Sequence, residues 1–342
     1  MNPIAAALAS AALFGASTPL AKLLLGELPP LLLAGLLYLG SGVGLTAWIA
    51  FRRPRNVLVP LSDWPWLAGG ILAGGVAAPA LLMYGLVRIE AGTASLLLNL
   101  EAVLTAAIAW LVFRENVDRR IFLGMAAIVA GGALLSWEQA PRAGGAAGPL
   151  LVAAACLAWA LDNNFTRRVS AGDAATLACL KGWVAGAANL ALAYAAGASL
   201  PSFKLLIAAS VLGAISYGFS LALFIVALRH LGTARTGAYF SVAPFFGAAL
   251  AIMLLGEQAT LFFLLAAALM AAGVWLHVTE RHLHPHVHEP MEHVHEHVHD
   301  AHHEHSHEAG WDGREPHVHA HRHARLVHSH PHYPDLHHRH RH

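Results

Sequence analysis

The sequence predicts an all-α membrane protein, in which ten transmembrane helices form two inverted five-helix repeats and a disordered tail follows them. Three observations support this fold class. Hydrophobic residues make up 57% of the chain and charged residues 12%, a balance that is unusual for a soluble globular domain. The apolar part divides into membrane-length runs, and its two halves repeat each other. Finally, 23 of the 25 histidines fall in residues 281–342, which sets the tail apart.

Each apolar run is long enough to cross a membrane, because a bilayer core about 30 Å thick needs a helix of about 20 apolar residues. The runs are 3–24, 31–51, 65–87, 93–113, 119–137, 149–168, 174–197, 205–228, 236–255 and 259–277. The first run lacks a basic start and others follow it closely, so we interpret it as a span and not as a cleaved signal peptide. The predicted domains are 3–137, 148–277 and the tail, 279–342.

Arginine and lysine in the short loops predict the orientation, because cytoplasmic loops are enriched in positive charge. If the N-terminus is cytoplasmic, the inner loops hold Arg52, Arg53, Arg55, Arg114, Arg119, Arg120, Arg167, Arg168, Arg229 and Arg235. The outer loops then hold only Lys22, Arg88, Arg142 and Lys204. An even number of spans therefore places both termini in the cytoplasm.

The charge balance gives no sign of a nucleic-acid partner. Residues 1–278 carry 15 basic and 10 acidic residues, whereas residues 279–342 carry 6 and 10. Nucleic-acid binding requires clustered basic residues, and so small an excess in an apolar segment gives no reason to expect it. Cys156 and Cys179 lie in apolar runs without a C-x-x-C pattern, so we interpret them as small hydrophobic residues.

An internal repeat is the strongest organisational signal. Residues 100–115 read LEAVLTAAIAWLVFRE, and residues 242–257 read VAPFFGAALAIMLLGE. Upstream, the Gly-Thr-Ala of residues 92–94 recurs at residues 232–234. Because a repeat of five spans is an odd number, the second copy must be inverted in the membrane. Inverted repeats are a transporter architecture that exposes a shared midplane site to each side in turn.

Two segments point to a known family: Phe14-Gly15 through Lys22, and Leu231 through Phe246 running on to Gly256-Glu257. On these segments, residues 3–277 resemble a drug/metabolite transporter of the EamA type with two EamA repeats. The resemblance implies a 5+5 inverted-repeat bundle in the cell (inner) membrane with both termini cytoplasmic. It also implies carriage of small organic solutes, commonly outward, with no cofactor required for transport.

Two positions depart from the family pattern. Phe14 stands where the family often has tryptophan, and Ala102 stands where the first repeat often has the proline that Pro244 supplies in the second. We therefore expect span 4 to be less kinked than span 9. Pro19, Pro79 and Pro244 each interrupt the hydrogen bonds of a span, and such breaks are either candidate hinges or static kinks.

Other repeated features predict how the helices are held together. Glu115 and Glu257 close equivalent helices at the membrane boundary, which suggests a structural or gating contact. The motifs Gly40-x-x-x-Gly44, Gly70-x-x-x-Gly74 and Gly182-x-x-x-Gly186 allow the backbones of neighbouring helices to approach closely.

Three ionisable residues lie at bilayer depth, where an unpaired charge is costly and therefore a functional candidate. Glu101 is about 12 Å from the outer end of span 4, and Asp162 and Lys181 each lie about 10 Å from the inner face. We predict that Asp162 and Lys181 pair, either as part of the solute pathway or as a structural bridge between spans 6 and 7. For Glu101 we favour a pathway or proton-coupling role.

Several uncharged side chains are weaker candidates for the substrate pathway. They are Asn99, Trp159, Asn163 and Tyr239, with Asn164, Asn189 and Tyr217 as further possibilities. Each has a structural alternative, because Asn and Tyr in membrane helices often bond a neighbouring helix and Trp and Tyr often anchor span ends.

The tail is poor in large hydrophobic residues, so it cannot bury a core and is predicted to be disordered. Histidine alternates with other residues there, and imidazoles suit Zn²⁺, Ni²⁺, Co²⁺ and Cu²⁺. The predicted metal ligands are His293, His295, His297, His299, His302, His303, His305, His307, His317, His319, His321 and His323. Metal buffering or sensing, a pH-responsive tether and functionally neutral low complexity all remain open.

The sequence therefore predicts a secondary transporter of small organic metabolites or drugs, with the tail as an accessory. The alternative is a transition-metal transporter whose tail gathers or senses its own substrate. A membrane-anchored metal sensor would not need the inverted repeat, and an enzyme is not expected because the sequence contains no catalytic motif. The sequence leaves open whether the protein forms a homodimer, and it does not identify the solute, the direction of transport or the coupling ion.

Overall fold

A computed structural model describes residues 2–52, 61–112, 119–139, 146–166, 169 and 174–279, together with four short strands in residues 285–329. The chain divides into two compact units, Met1–Thr279 and Glu280–His342. The described residues of the first unit are helical apart from short connections.

The first unit contains fourteen α-helices and two π-helical segments within the described ranges. In the first half these are α1 (Pro3–Gly15), α2 (Ser17–Leu24), α3 (Pro30–Arg52), α4 (Trp64–Gly70), the π segment Ile71–Ala77, α5 (Ala78–Leu86), α6 (Ala91–Leu97), α7 (Leu100–Leu111) and α8 (Arg119–Gln139). In the second half they are α9 (Ala147–Thr166), α10 (Ala174–Ala195), α11 (Phe203–Gly213), the π segment Ala214–Phe219, α12 (Ser220–Phe240), α13 (Ala243–Leu255) and α14 (Leu261–Val278).

Eight helical stretches in the described residues are long and apolar enough to cross a membrane. This establishes a multi-pass helical membrane protein, although the predicted count was ten. Two predicted spans fall short for visible reasons. The helix α9 includes the polar run Asp162-Asn163-Asn164, and α13 has only 13 residues.

One predicted loop is helical. Residues 229–235 were expected to connect spans 8 and 9, but α12 runs through them to Phe240. This segment contains no proline and one glycine, so nothing in its sequence stops a helix. The break instead falls at Ser241 and Val242, just before Pro244.

Span 4 is interrupted like span 9, although it lacks the proline. The chain breaks between α6 and α7 at Leu98 and Asn99, and Asn99 Nδ2 donates to Leu96 O at 2.9 Å. An asparagine that bonds a nearby carbonyl competes with the helical ladder, and this replaces the missing proline as a cause of the break. Both spans are therefore interrupted, and the expectation that span 4 is less kinked than span 9 stays a prediction.

The three prolines predicted to interrupt spans each lie in the first turn of a helix. Pro19 follows the break at Ala16, Pro79 follows the first π segment, and Pro244 follows the break before α13. The first turn tolerates proline because its N–H groups have no intrahelical acceptor. All three prolines therefore lie next to a change in the helix, and their role as hinges or static kinks stays a prediction.

Glycine allows the helices to pack backbone to backbone. A Cβ at Gly182 would lie 2.8 Å from Gly42 N, and one at Gly40 would overlap Ser210 O. These contacts join α3 to α10 and to α11, as the glycine motifs predicted. The main core around them consists mostly of leucine and alanine.

The second unit contains four strands, β1 (Pro285–His288), β2 (Met291–His297), β3 (His317–His323) and β4 (Leu326–Ser329). Two antiparallel pairs form, β1 with β4 and β2 with β3. The sequence analysis predicted disorder throughout the tail and so missed these strands. Alternation of histidine with other residues has the period of a β-strand, which accounts for the difference.

Candidate solute-binding site

A cavity of about 310 Å³ lies between the helices of the first unit. It is lined by side chains from both halves of the chain, which come from α1, α3, α7, α9, α10, the second π segment and α12. The lining residues are Phe14, Tyr38, Ser41, Glu101, Trp159, Asp162, Asn163, Ala178, Lys181, Gly182, Tyr217, Ser220, Leu221, Phe224 and Phe240. Five residues proposed from sequence for the substrate pathway therefore meet here, together with Tyr217, which was a further possibility.

Asp162 and Lys181 form the ion pair that the sequence analysis predicted. Lys181 Nζ lies 2.7 Å from Asp162 Oδ1 and 2.6 Å from Oδ2. Thr166 Oγ1 also donates to Asp162 Oδ1, at 2.8 Å. The aspartate side chain is 7% exposed and the lysine side chain 18%. The pair is thus nearly desolvated, and its two charges balance each other.

Two glycines make room for this pair. A Cβ at Gly74 would overlap the Asp162 carboxylate, and a Cβ at Gly70 would lie 2.6 Å from Asp162 Oδ1. The predicted Gly70-x-x-x-Gly74 motif therefore accommodates a charged side chain, whereas the sequence analysis expected it to bring two backbones together.

Glu101 lies at the first turn of α7, next to the break in span 4. Its Oε1 accepts from Asn163 Nδ2 at 2.9 Å, and the same amide nitrogen lies 3.3 Å from Thr105 Oγ1. Within the described residues, Glu101 Oε2 has no hydrogen-bond donor. The carboxylate therefore retains a free acceptor in the cavity.

The first π segment supplies backbone acceptors to the site. Gly74 O accepts from Tyr38 Oη at 2.8 Å and from Trp159 Nε1 at 2.9 Å. Gly75 O accepts from Asn189 Nδ2 at 3.1 Å. A π-helix shifts the pattern of backbone hydrogen bonds and often occurs at functional sites.

Aromatic rings form a continuous wall in the cavity. Ring centroids lie 5.8 Å apart for Tyr38 and Tyr217, and 5.6 Å apart for Tyr217 and Phe14. The chain continues to Phe240 at 5.4 Å and to Phe224 at a further 5.0 Å. The sequence analysis did not name Tyr38, Phe224 or Phe240, because an aromatic residue in an apolar helix gives no sign of the direction it faces.

The lining of this cavity does not include the pathway candidates Asn99 and Tyr239, nor the further possibilities Asn164 and Asn189. Asn99 is buried beside the break in span 4, where its amide lies 3.9 Å from Met270 Sδ. Tyr239 packs against Ala6, Ala7 and Ala227. The structure gives both residues contacts with neighbouring helices.

One end of the bundle, which we call the Glu257 end, contains the contacts of Lys22 and Glu257. The two carboxylate oxygens of Glu257 accept from Ala91 N at 2.6 Å and from Gly92 N at 2.7 Å, at the start of α6. Lys22 Nζ donates to Ile89 O at 2.8 Å and to Leu86 O. Glu257 of the second repeat thereby caps a helix of the first repeat. Glu115, which is equivalent to Glu257 in the sequence repeat, lies outside the described residues.

The described residues contain no group of three His, Cys, Asp or Glu side chains placed to hold a metal ion. Six of the predicted tail ligands lie opposite each other in the β2–β3 register, as the pairs His293 with His321, His295 with His319 and His297 with His317. His323 lies opposite Met291. His299, His302, His303, His305 and His307 lie outside the described residues.

An apolar helical bundle in which charged side chains line a cavity between helices is typical of a membrane transporter. The family model of the EamA-like transporter family matches residues 1–137 and 146–279, and the chain belongs to this family. The sequence prediction of a transporter, and not an enzyme, agrees with that membership.

Proteins of similar sequence are described as transporters, an efflux pump or a flippase subunit. The chain is 28% identical to an uncharacterized transporter of Methanothermobacter thermautotrophicus, over 77% of this chain and 82% of the relative. It is 29% identical to a probable amino-acid metabolite efflux pump of Salmonella typhimurium, over 75% of this chain and 88% of the relative. A segment covering 22% of this chain is 47% identical to 62% of a probable 4-amino-4-deoxy-L-arabinose-phosphoundecaprenol flippase subunit, ArnE, of Pseudomonas paraeruginosa.

A solved crystal structure shares the fold. It matches 80% of this chain and 98% of its own with a TM-score of 0.60, at 21% sequence identity.

Proposed function

We propose that this protein is a secondary transporter that exports small organic metabolites or drugs by alternating access. The observation that carries the proposal is the cavity, whose lining includes Glu101, Asn163 and the Asp162–Lys181 pair. Its volume, about 310 Å³, lies at the lower end of the range typical of small-molecule sites. The efflux pump among the relatives supports the outward direction.

An inverted 5+5 architecture of ten spans would provide the alternating access. Spans 3 and 8 both contain a π segment, at Ile71–Ala77 and Ala214–Phe219. Spans 4 and 9 both break, at Asn99 and at Ser241. Each irregularity in the first half is separated from its counterpart in the second half by nearly the same number of residues as Glu115 from Glu257. The irregularities of the helices therefore recur with the sequence repeat.

We assign Glu257 to closure of one side, as the gating contact expected from sequence. Its bidentate contact with the start of α6 connects the two repeats and must break for that end to open. Under the predicted topology, with both termini cytoplasmic in the inner membrane, this is the outer end. Glu115 would make the equivalent contact when the inner end closes.

Proton coupling is assigned to Glu101. The charged or titratable groups that share its cavity are Asp162, Lys181, Tyr38 and Tyr217. Lys181 already bridges both oxygens of Asp162, whereas Glu101 has a free oxygen. It is therefore the carboxylate best placed to exchange a proton for a solute.

The test uses proteoliposomes with a trapped pH-sensitive dye. Addition of amino acids or aromatic amines to the full-length protein should trigger proton flux, and Glu101→Gln should abolish it because the amide cannot release a proton. Glu27→Gln, which alters an exposed carboxylate, should retain the flux. Unchanged solute-dependent proton flux in Glu101→Gln would contradict the coupling role.

The tail is proposed as a cytoplasmic accessory that binds transition metals. In the β2–β3 register, six histidines lie opposite each other as three consecutive alternate pairs. Imidazole is a preferred ligand of Zn²⁺, Ni²⁺, Co²⁺ and Cu²⁺.

A further inference from the structure

We propose that the cavity selects small organic monocations that carry an aromatic or apolar group. This inference rests on the proposed function, because it names the class of solute that the cavity would carry. It follows from the charges, the free hydrogen-bonding capacity and the ring surface of the lining.

The two carboxylates and one ammonium group in the lining give the cavity a net charge of minus one. The lining contains Glu101, Asp162 and Lys181, together with two tyrosines. Lys181 contacts both oxygens of Asp162, so these two charges cancel locally. When Glu101 is ionised, the cavity therefore carries a net charge of minus one, and the complementary ligand is a monocation.

The hydrogen-bonding groups of the cavity also favour a cation over an anion. Glu101 Oε1 accepts one bond from Asn163, and Oε2 has no donor among the described residues. Lys181 directs its ammonium to Asp162. An anionic solute would therefore have to separate a desolvated ion pair to reach a positive charge, and this separation is costly. A cation meets an available carboxylate without that cost.

The aromatic wall suits a cation as well as an apolar group. Five rings follow one another from Tyr38 through Tyr217, Phe14 and Phe240 to Phe224. Tyr38 Oη and Trp159 Nε1 are both bound to Gly74 O, so these residues offer mainly ring surface. Ring faces attract cations, and this attraction increases where water is excluded.

The experiment measures binding of radiolabelled benzyltrimethylammonium to the purified full-length protein, with phenylacetate and benzyl alcohol as ligands of similar size. Benzyltrimethylammonium keeps its charge at every pH. We expect it to bind at least tenfold more tightly than either of the other two. Equal or tighter binding of phenylacetate would overturn the proposal.

Variants identify the residues that provide the selectivity. Glu101→Gln should weaken cation binding at least tenfold while leaving benzyl alcohol binding unchanged, which shows that the cavity is intact. Phe14→Leu should also reduce cation binding more than alcohol binding, and Glu27→Gln should change neither. Full cation affinity in Glu101→Gln would overturn the proposal.

Flux measurements in proteoliposomes separate this inference from the transport function. If benzyltrimethylammonium binds as expected but no solute is moved, the proposed transport fails and the selectivity stands. If neutral or anionic solutes are moved in preference to the cation, the selectivity fails and the transport function stands.

Discussion

Gly74 gives the Asp162 carboxylate its place in the bundle. The absence of a side chain at Gly74 leaves space that the carboxylate fills, while the Gly74 carbonyl binds Tyr38 and Trp159. Gly74 therefore makes space for the ion pair because it lacks a side chain, and its carbonyl group holds two aromatic residues. This concentration of contacts makes the position sensitive to the smallest substitution.

We expect Gly74→Ala to displace Asp162 and separate it from Lys181. Removal of one partner from a buried ion pair costs about 3–5 kcal/mol because the other charge is left uncompensated, and separation of the two partners should destabilise the protein for the same reason. The thermal unfolding midpoint in detergent should fall, and transport should be lost with it. Gly237→Ala is the matched control, because a Cβ at Gly237 meets no atom within 4 Å. Equal midpoints for the two variants would show that Asp162 is not held by this space.

Counting residues from the ends of the predicted spans identified the charged residues of the site. It did not identify the aromatic residues that line the cavity. The spacing of Asp162 and Lys181 from their span ends was enough to predict their pairing. The contact between Glu101 and Asn163 required knowledge of which helices cross, and so did the aromatic wall. Sequence periodicity does not fix a helix rotation when nearly every face is apolar.

At the scale of the helices, the contact of Glu257 is a carboxylate cap on α6. Its two oxygens satisfy two backbone donors that have no intrahelical acceptor. A Cβ at Gly92 would lie 3.0 Å from Glu257 Oε2, so the carboxylate would have to shift slightly if this residue had a side chain. The glycine of the first Gly-Thr-Ala motif and the glutamate that ends α13 in the second repeat thus take part in one contact.

We expect Glu257→Gln to loosen the start of α6. The amide retains one acceptor and presents its NH₂ group to a donor, and the loss of a helix cap costs about 0.5–2 kcal/mol. Hydrogen exchange of residues 91–97 should become faster by about tenfold, while α3 keeps its protection. Glu27→Gln should leave both unchanged. Slow exchange of residues 91–97 in Glu257→Gln would argue against the cap.

The helices themselves followed from apolar runs, but their interruptions did not. Prolines predicted three breaks, whereas the break at Asn99 depends on a side-chain hydrogen bond that has no unique sequence pattern. In residues 229–235 the sequence instead predicted an interruption that the structure does not contain. Two arginines suggested a loop there, but charged residues do not end a helix without a breaker.

At the scale of the whole chain, two units of different composition share one polypeptide. The membrane unit is apolar with few charges, and the tail is rich in histidine. The tail's composition was clear from sequence, but its strand pairing depends on residues about twenty to forty positions apart, as in Met291 with His323.

The tail should bind zinc in a pH-dependent manner. Equilibrium dialysis of the full-length protein against Zn²⁺ at pH 7.5 should show bound metal that is released at pH 5.5, because unperturbed histidine titrates near pH ~6.5. The combined variant His293→Gln, His295→Gln, His297→Gln and His299→Gln should bind less. Replacement of four tail carboxylates by amides should have a smaller effect. Equal zinc binding in the histidine variant would contradict the assignment.

The cancellation of Asp162 by Lys181 has an electrical consequence for the transport cycle. A cavity that holds a monocation on ionised Glu101 and a cavity in which Glu101 carries a proton have the same net charge. A membrane potential contributes about 2.3 kcal/mol per elementary charge for each 100 mV, and only to steps that move net charge. Exchange of one proton for one monocation would therefore be electroneutral, so the pH gradient alone would set how far the solute is accumulated.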